Sequence, residues 1–113
     1  MIEKYVFGKI FIDRHSYTSD LIIVDDQVFE KWWRKKGHEL CVADIELFVD
    51  QYKPTRLIVG TGKFGRMKIL PETISYLNSL QLELDAHKTQ QAFLIYNHFA
   101  KAERPMGAFH LTC

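Results

Sequence analysis

The chain has 113 residues, 47% of them hydrophobic and 26% charged, with a formal net charge of +1. This length fits one small domain spanning residues 1–113 and excludes a second. A nearly neutral chain is not typical of nucleic-acid-binding domains, which usually have a basic excess. The longest apolar runs, residues 21–24 and 57–59, are far shorter than the roughly 20 residues of a membrane helix.

The N-terminus and the cysteine content bear on the compartment. Residues 1–5 do not begin a basic leader followed by an apolar stretch. Cys41 and Cys113 are too few for a disulfide scaffold, so a reducing compartment is the simpler interpretation. We therefore expect a soluble cytoplasmic protein with no membrane contact.

The N-terminal third has the composition of an antiparallel meander. Residues 9–13 and 20–25 are apolar and rich in β-branched and aromatic side chains, and the polar residues 14–19 between them predict a turn. Residues 28–34 fit either a helix face or a strand. Because Asp25-Asp26 is suited to a turn, we favour a third strand there.

Helical periodicity begins near residue 44. Apolar side chains at 45–52 recur on one helix face, Asp44 is a suitable cap, and Pro54 lies just past the end. Residues 56–59 predict a buried strand. Pro71 suits the first position of the next helix.

The remaining segments complete an α/β pattern. Residues 82–85 predict a strand, Thr89 can cap a last helix, and residues 107–111 predict a final strand. The strand, loop, helix and strand of residues 55–86 form a right-handed unit with two parallel strands. We predict a three-layer α/β domain with a mixed central sheet, a β-α-β unit and an N-terminal meander.

Ligands of open α/β sheets bind beyond the carboxyl ends of the parallel strands. One such end is the loop 60–65, whose glycines match the dinucleotide pattern, with Glu83 or Asp85 near the expected acid position. The next predicted helix begins only at Pro71, however, and the chain is too short for two mononucleotide halves. A turn that needs glycine's conformational freedom is the favoured interpretation.

The same loop has the residues of a generic anion cradle. Exposed backbone N–H groups flanked by cations can bind an anion. The candidate residues are Gly60, Thr61, Gly62, Lys63 and Arg66.

Two polar residues near the last helix are further candidates. Thr89 at the helix start could cap the helix or help to bind an anion. Asn97 is a mediocre helix former, so its side chain could bond a ligand, although a structural bond to backbone is favoured.

We expect no metal, no cofactor and, on balance, no enzymatic activity. His110 and Cys113 provide two ligands, with other cysteine and histidine residues dispersed along the chain, whereas zinc requires three or four. Ser75 or Cys41 could be combined with His87 and Asp85 as a nucleophilic triad, but no supporting motif accompanies them.

The segment 31–36, Lys-Trp-Trp-Arg-Lys-Lys, alternates aromatic and basic residues. Single-stranded nucleic-acid binders use this chemistry, but the neutral chain disfavours that function. A strand with one buried tryptophan and a solvated basic face is the structural alternative. An exposed Trp33 beside Arg34 would suit a protein partner, because Trp and Arg are enriched at interaction hot spots.

Nearly the whole chain resembles the adipogenesis-associated Mth-938 domain family. The resemblance depends on the order of Leu57–Gly62, Pro71, Tyr76-Leu77, Thr89 with Ala92 and Tyr96-Asn97, and the ending Gly107–Cys113. It implies a compact three-layer α/β fold with an additional β layer and no established catalytic residues. One branch of the family is a mitochondrial assembly factor for respiratory complex I, and another is cytoplasmic and linked to adipocyte differentiation.

Two functions follow as expectations. The first is a non-enzymatic adaptor or assembly-type protein that binds a protein partner through the surface around Trp33 and Arg34. The alternative is a small anion- or nucleotide-binding protein, or an enzyme, that uses the glycine loop 60–65.

Overall fold

The computed structural model describes all residues, 1–113. It contains ten strands and three helices. In chain order they are β1 (Ile2–Val6), β2 (Lys9–Ile12), β3 (His15–Tyr17), β4 (Leu21–Val24), β5 (Gln27–Glu30), β6 (Glu39–Leu40), α1 (Glu46–Tyr52), β7 (Arg56–Thr61), β8 (Lys68–Ile69), α2 (Pro71–Ser79), β9 (Glu83–His87), α3 (Thr89–Ala100) and β10 (Pro105–His110). None of the helices has the length and hydrophobicity needed to cross a bilayer.

The central sheet has five strands in the order β5-β4-β10-β7-β9. Strands β9, β7 and β10 are parallel, whereas β4 and β5 add an antiparallel hairpin at one side. Every residue of β4 and of β10 is buried. Strands that are covered on both faces have uninterrupted apolar sequences rather than alternating polar and apolar residues. This explains the sequence Leu-Ile-Ile-Val at 21–24.

Two crossovers place helices on opposite faces of this sheet. The predicted β7-α2-β9 unit is present, and its two strands are parallel neighbours. The chain then returns through α3 to place β10 on the other side of β7. Helices α1 and α2 pack over one core cluster, and α3 packs over the other together with β1 and β2. The predicted three-layer α/β class with a mixed sheet is confirmed.

The meander is present but has different strands from those predicted. It forms a separate sheet, β1-β2-β3, while β4 and β5 belong to the central sheet. Strand β3 lies inside the predicted turn 14–19, because the chain already reverses at Asp13-Arg14, where both φ angles are positive. Glu3 accepts hydrogen bonds from both of these backbone N–H groups. Neither residue is glycine, so the sequence carries no strong turn signal there.

The predicted strand 28–34 ends at Glu30. Lys31 adopts a φ of 58°, which breaks the extended backbone. Trp32 then turns inward, and its Nε1 donates to the backbone oxygen of Asp44 at 2.9 Å. Residues 31–38 are therefore an ordered loop rather than a strand.

Two predicted helix caps are wrong. Asp44 ends a short 3₁₀ turn, where its carboxylate accepts from the N–H groups of Cys41 and Lys35 instead of capping α1. Thr89 is the first residue of α3 and does not cap it. Its hydroxyl serves a tertiary contact that is described below.

Candidate functional site

Strands β7, β9 and β10 end together at one edge of the central sheet. Their last residues are Thr61, His87 and His110, and the segments that follow are held together by backbone hydrogen bonds. We call this region the carboxyl edge and define it as residues 7–8, 31–38, 62–68, 86–88 and 111–113.

The C-terminal residues bond to the glycine loop. The N–H of Lys63 donates to the backbone oxygen of Thr112 at 2.7 Å, and that of Arg66 donates to Cys113 at 3.1 Å. The N–H groups proposed to cradle an anion at these two positions are thus used inside the protein. The side chains of Lys63 and Arg66 are exposed.

The glycines of this loop are required by close packing. A Cβ on Gly60 would lie 2.8 Å from Thr89 Oγ1, and one on Gly62 would lie 2.6 Å from the carbonyl carbon of Cys113. Gly62 also has a φ of +104°, which side-chain-bearing residues rarely adopt. The favoured interpretation of the pattern, a turn that needs glycine, therefore agrees with the geometry.

Thr89 joins the helix α3 to two strands. Its hydroxyl donates to the backbone oxygen of His110 at 2.6 Å and accepts the N–H of Gly62 at 2.9 Å. Nearby, the Thr61 hydroxyl donates to the backbone oxygen of His87 at 3.0 Å. These bonds engage the hydroxyl groups of Thr61 and Thr89 within the protein.

Asn97 lies apart from the other candidates. Its amide donates to the backbone oxygen of Ile2 at 2.7 Å and accepts the Ile2 N–H at 3.0 Å. It is eight residues beyond Thr89, which places it about 12 Å further along the helix. The favoured structural bond to backbone is confirmed. Thus Gly60, Thr61, Gly62 and Thr89 meet, whereas Asn97 does not join them.

A buried ionic cluster lies beneath the carboxyl edge. Arg34 Nη1 is 2.8 Å from Asp20 Oδ2, and His110 Nδ1 is 2.7 Å from the same oxygen. Arg34 also donates to the backbone oxygen of Gly37 and stacks on the Trp32 ring, with its Cζ 4.8 Å from the centroid. Only 4% of the Arg34 side chain is exposed.

The carboxylate of Asp20 organises this cluster. It can only accept, so His110 Nδ1 carries a proton and donates to it. Burial tends to raise the pKa of Asp20, but bonds from His110 and the Leu111 N–H and the charge of Arg34 hold the pKa below its ordinary value. His110 Nε2 is buried and bonds to no other protein group.

The predicted surface around Trp33 and Arg34 requires correction. Trp33 is 75% exposed and Trp32 is buried, so the exposed member of the pair is Trp33. Arg34, in contrast, belongs to the buried cluster and cannot present its guanidinium to a partner. Sequence reasoning named His110 only as a candidate metal ligand and missed its pairing with Asp20, because 90 residues separate them and no local motif links them.

All exposed phenylalanine and tryptophan side chains of the chain lie in the carboxyl edge. Phe7, Trp33 and Phe64 are 52%, 75% and 58% exposed. Their backbone neighbours converge, because Gly8 donates to Leu111 and Lys63 donates to Thr112, each at 2.7 Å. Arg34 Nη2 lies 3.1 Å from His110 Nδ1. Each of the three exposed aromatic residues is therefore adjacent in sequence to a residue that contacts the end of β10 or the residues that follow it.

The cavities lie elsewhere. The largest, about 580 Å³, lies at the opposite edge of the sheet between the C-terminal ends of α1 and α2. Its lining includes Val49, Tyr76 and Leu82. None of the three cavities is lined by a residue of the carboxyl edge. The candidate site is therefore an exposed surface and not a pocket.

The fold and this surface define a small three-layer α/β domain with exposed aromatic residues at one edge of its central sheet. Residues 2–111 match the family described as proteins of unknown function DUF498/DUF598. The chain belongs to this family, and the resemblance to the Mth-938 domain family is confirmed.

Several solved structures share the fold. A conserved hypothetical protein, PH1505 from Pyrococcus horikoshii OT3, is 22% identical with a TM-score of 0.86, over 100% of this chain and 99% of that one. The protein MT938 is 23% identical with a TM-score of 0.82, over 100% and 98%. A Bordetella parapertussis protein is 22% identical with a TM-score of 0.81, over 96% and 92%. At these identities the likeness shows the fold alone.

Proposed function

We propose that this domain is a non-enzymatic interaction protein, of adaptor or assembly type, that binds a protein partner through the carboxyl edge. The observation that carries the proposal is the grouping of Phe7, Trp33 and Phe64, the exposed phenylalanine and tryptophan residues, around the end of β10. Contiguous exposed apolar groups mark interaction sites in soluble proteins, whereas single ones need no explanation.

The buried cluster supports this function by holding the loop 31–38 in place. Arg34 is bonded on one side to Asp20 and on the other to the backbone of Gly37. Trp32 is anchored to Asp44. Trp33 is thus presented on a loop whose neighbouring side chains are fixed, which lowers the entropy cost of binding.

The alternative, a small anion-binding protein, has weaker support. Its backbone donors at Lys63 and Arg66 are engaged by Thr112 and Cys113, and no cavity adjoins them. The anion-binding alternative can be tested directly by a thermal-shift screen against phosphate, nucleotides and carboxylates, with Arg66→Ala as the control. A shift in the parent that disappears in this variant would favour the alternative.

The test of the proposed function is site-specific cross-linking. A photo-reactive phenylalanine analogue is placed at Trp33 and, as a matched control, at Leu47, which is 77% exposed on α1 and outside the edge. We expect one defined partner to be cross-linked in the source cells from position 33 and not from position 47. The second variant, Phe64→Ala, should weaken the cross-link while leaving the unfolding midpoint unchanged.

Equal labelling from both positions, or none from position 33, would contradict the proposal. The exposed side chains at these sites contribute little to folding, so the variants should remain folded. Circular dichroism and the unfolding midpoint verify this directly.

A further inference from the structure

The carboxyl edge is strongly basic although the chain as a whole is almost neutral. Its five segments contain eight of the fifteen Lys and Arg residues and no Asp or Glu. The cationic residues are Lys31, Arg34, Lys35, Lys36, Lys63, Arg66, Lys68 and Lys88. With a net charge of +1, this excess at one end must be balanced elsewhere in the molecule.

The cations of the edge are available to a partner. Seven of the eight, all except Arg34, have exposed side chains and are in no ion pair. The arginines at the opposite edge differ, because Arg56 pairs with Asp85 and Arg104 pairs with Asp25. Most of the positive charge of the edge is therefore exposed and outside any ion pair, although Glu39 faces Lys68 in the β6-β8 pair.

Aromatic groups are interspersed with these charges. Phe64 follows Lys63 in the glycine loop, and Trp33 precedes Lys35 and Lys36 in the loop 31–38. The two loops are joined, since the N–H of Lys68 donates to the backbone oxygen of His38 at 2.9 Å. A complementary ligand would need both anionic groups and apolar groups.

We infer that the occupant of the carboxyl edge is a short acidic segment of a partner protein that also carries apolar side chains. This inference rests on the proposed function and specifies the chemistry of its partner. Complementary charge steers encounter, and the aromatic residues supply contact area. A protein segment is favoured over a nucleic acid because the cationic zone is confined to one edge.

The inference is tested with synthetic probes by fluorescence anisotropy. One labelled peptide alternates Glu with Leu and Phe, a second has Lys in place of Glu, and the third probe is a single-stranded oligodeoxynucleotide. We expect the acidic peptide to bind at low salt, with an affinity that falls as salt is added. The basic peptide should not bind.

Charge-reversed variants locate the binding. The edge variant carries Lys35→Glu, Lys63→Glu and Arg66→Glu, and its matched control carries Lys4→Glu, Lys53→Glu and Lys101→Glu, all exposed and outside the edge. The edge variant should lose about tenfold or more in affinity, because it reverses three of the exposed charges that would attract the acidic peptide. The control should retain most of the parent affinity.

Three results of these binding measurements would overturn the inference. They are absence of binding by the acidic peptide, equal losses in the edge and control variants, and tighter binding of the oligonucleotide than of the peptide. The cross-link from position 33 separates this failure from failure of the proposed function. A cross-linked partner whose contact segment is not acidic overturns the inference alone.

Discussion

At the scale of single residues, the two glycines on either side of Thr61 show how closely the chain packs against itself. Gly60 lets Thr89 and the ring of Phe109 approach β7, and Gly62 lets the backbone of Cys113 pass. At both positions a methyl group would occupy space already filled by other atoms. The two glycines are thus explained by close internal contacts between strand β7, helix α3 and the C-terminal segment.

We predict that Gly62→Ala lowers the free energy of unfolding by about 2–3 kcal/mol, because it adds both a clash with Cys113 and an unfavourable positive φ. Urea denaturation measures the effect. Gly37→Ala is the control, since a Cβ there meets nothing within 4 Å. Gly8→Ala, with a φ of +78° but open space around it, isolates the contribution of φ. Equal losses in all three variants would contradict the packing argument.

Asp20 should make stability sensitive to acid. Its pKa is held below the ordinary value of about 3.9 in the folded state. The stability it contributes is therefore present above that value and is lost as the pH falls through the lowered pKa. Asp20→Asn should cost about 3 kcal/mol at neutral pH, because it leaves Arg34 buried without its partner.

The measurement is the unfolding free energy as a function of pH. The Asp20→Asn variant should lose less stability than the parent as the pH is lowered below about 4. Asp26→Asn, an exposed acid outside the cluster, serves as the control and should follow the parent. A parallel acid profile for parent and Asp20→Asn would rule out this role of the cluster.

At the scale of secondary-structure elements, Thr89 connects α3 to the strands β7 and β10. Thr89→Val keeps the shape but leaves the Gly62 N–H and the His110 backbone oxygen without this partner. We expect a loss of about 2–3 kcal/mol on unfolding. Thr89→Ser keeps the hydroxyl and should lose clearly less in the same denaturation experiment. If both variants lose the same amount, methyl packing and not hydrogen bonding is the cause.

Elements with a strong local signal were predictable. The helix beginning at Pro71, the strand beginning at Arg56 and the turn at Asp25-Asp26 all lie where the sequence places them. Strand β1 and the reversal at Asp13-Arg14 were missed, because they depend on partners rather than on propensity. The reversal is stabilised by Glu3, ten and eleven residues away.

At the scale of the whole molecule, the segregation of charge should be detectable without a partner. Trp33 is the exposed tryptophan and lies among unpaired cations. Iodide should therefore accumulate near it and quench its fluorescence, and added sodium chloride should reduce this quenching by screening. Caesium should show the opposite dependence on salt.

The control for this measurement is Trp33→Phe, which keeps the buried Trp32 as the remaining tryptophan. Its fluorescence should be quenched weakly by either ion. Quenching by iodide that does not change with salt would show that the field at the carboxyl edge is not positive.

The sequence by itself determined the class of fold, the parallel unit β7-α2-β9 and the need for glycine after β7. These features follow from local composition and from periodicity, which act over a few residues. Only the tertiary structure determined which candidate site residues are buried and which are exposed. It brought Asp20 and His110 to Arg34 in a largely buried cluster, and it left Trp33 exposed. Burial and charge pairing depend on which segments, distant in sequence, come into contact. No local sequence pattern predicts those contacts.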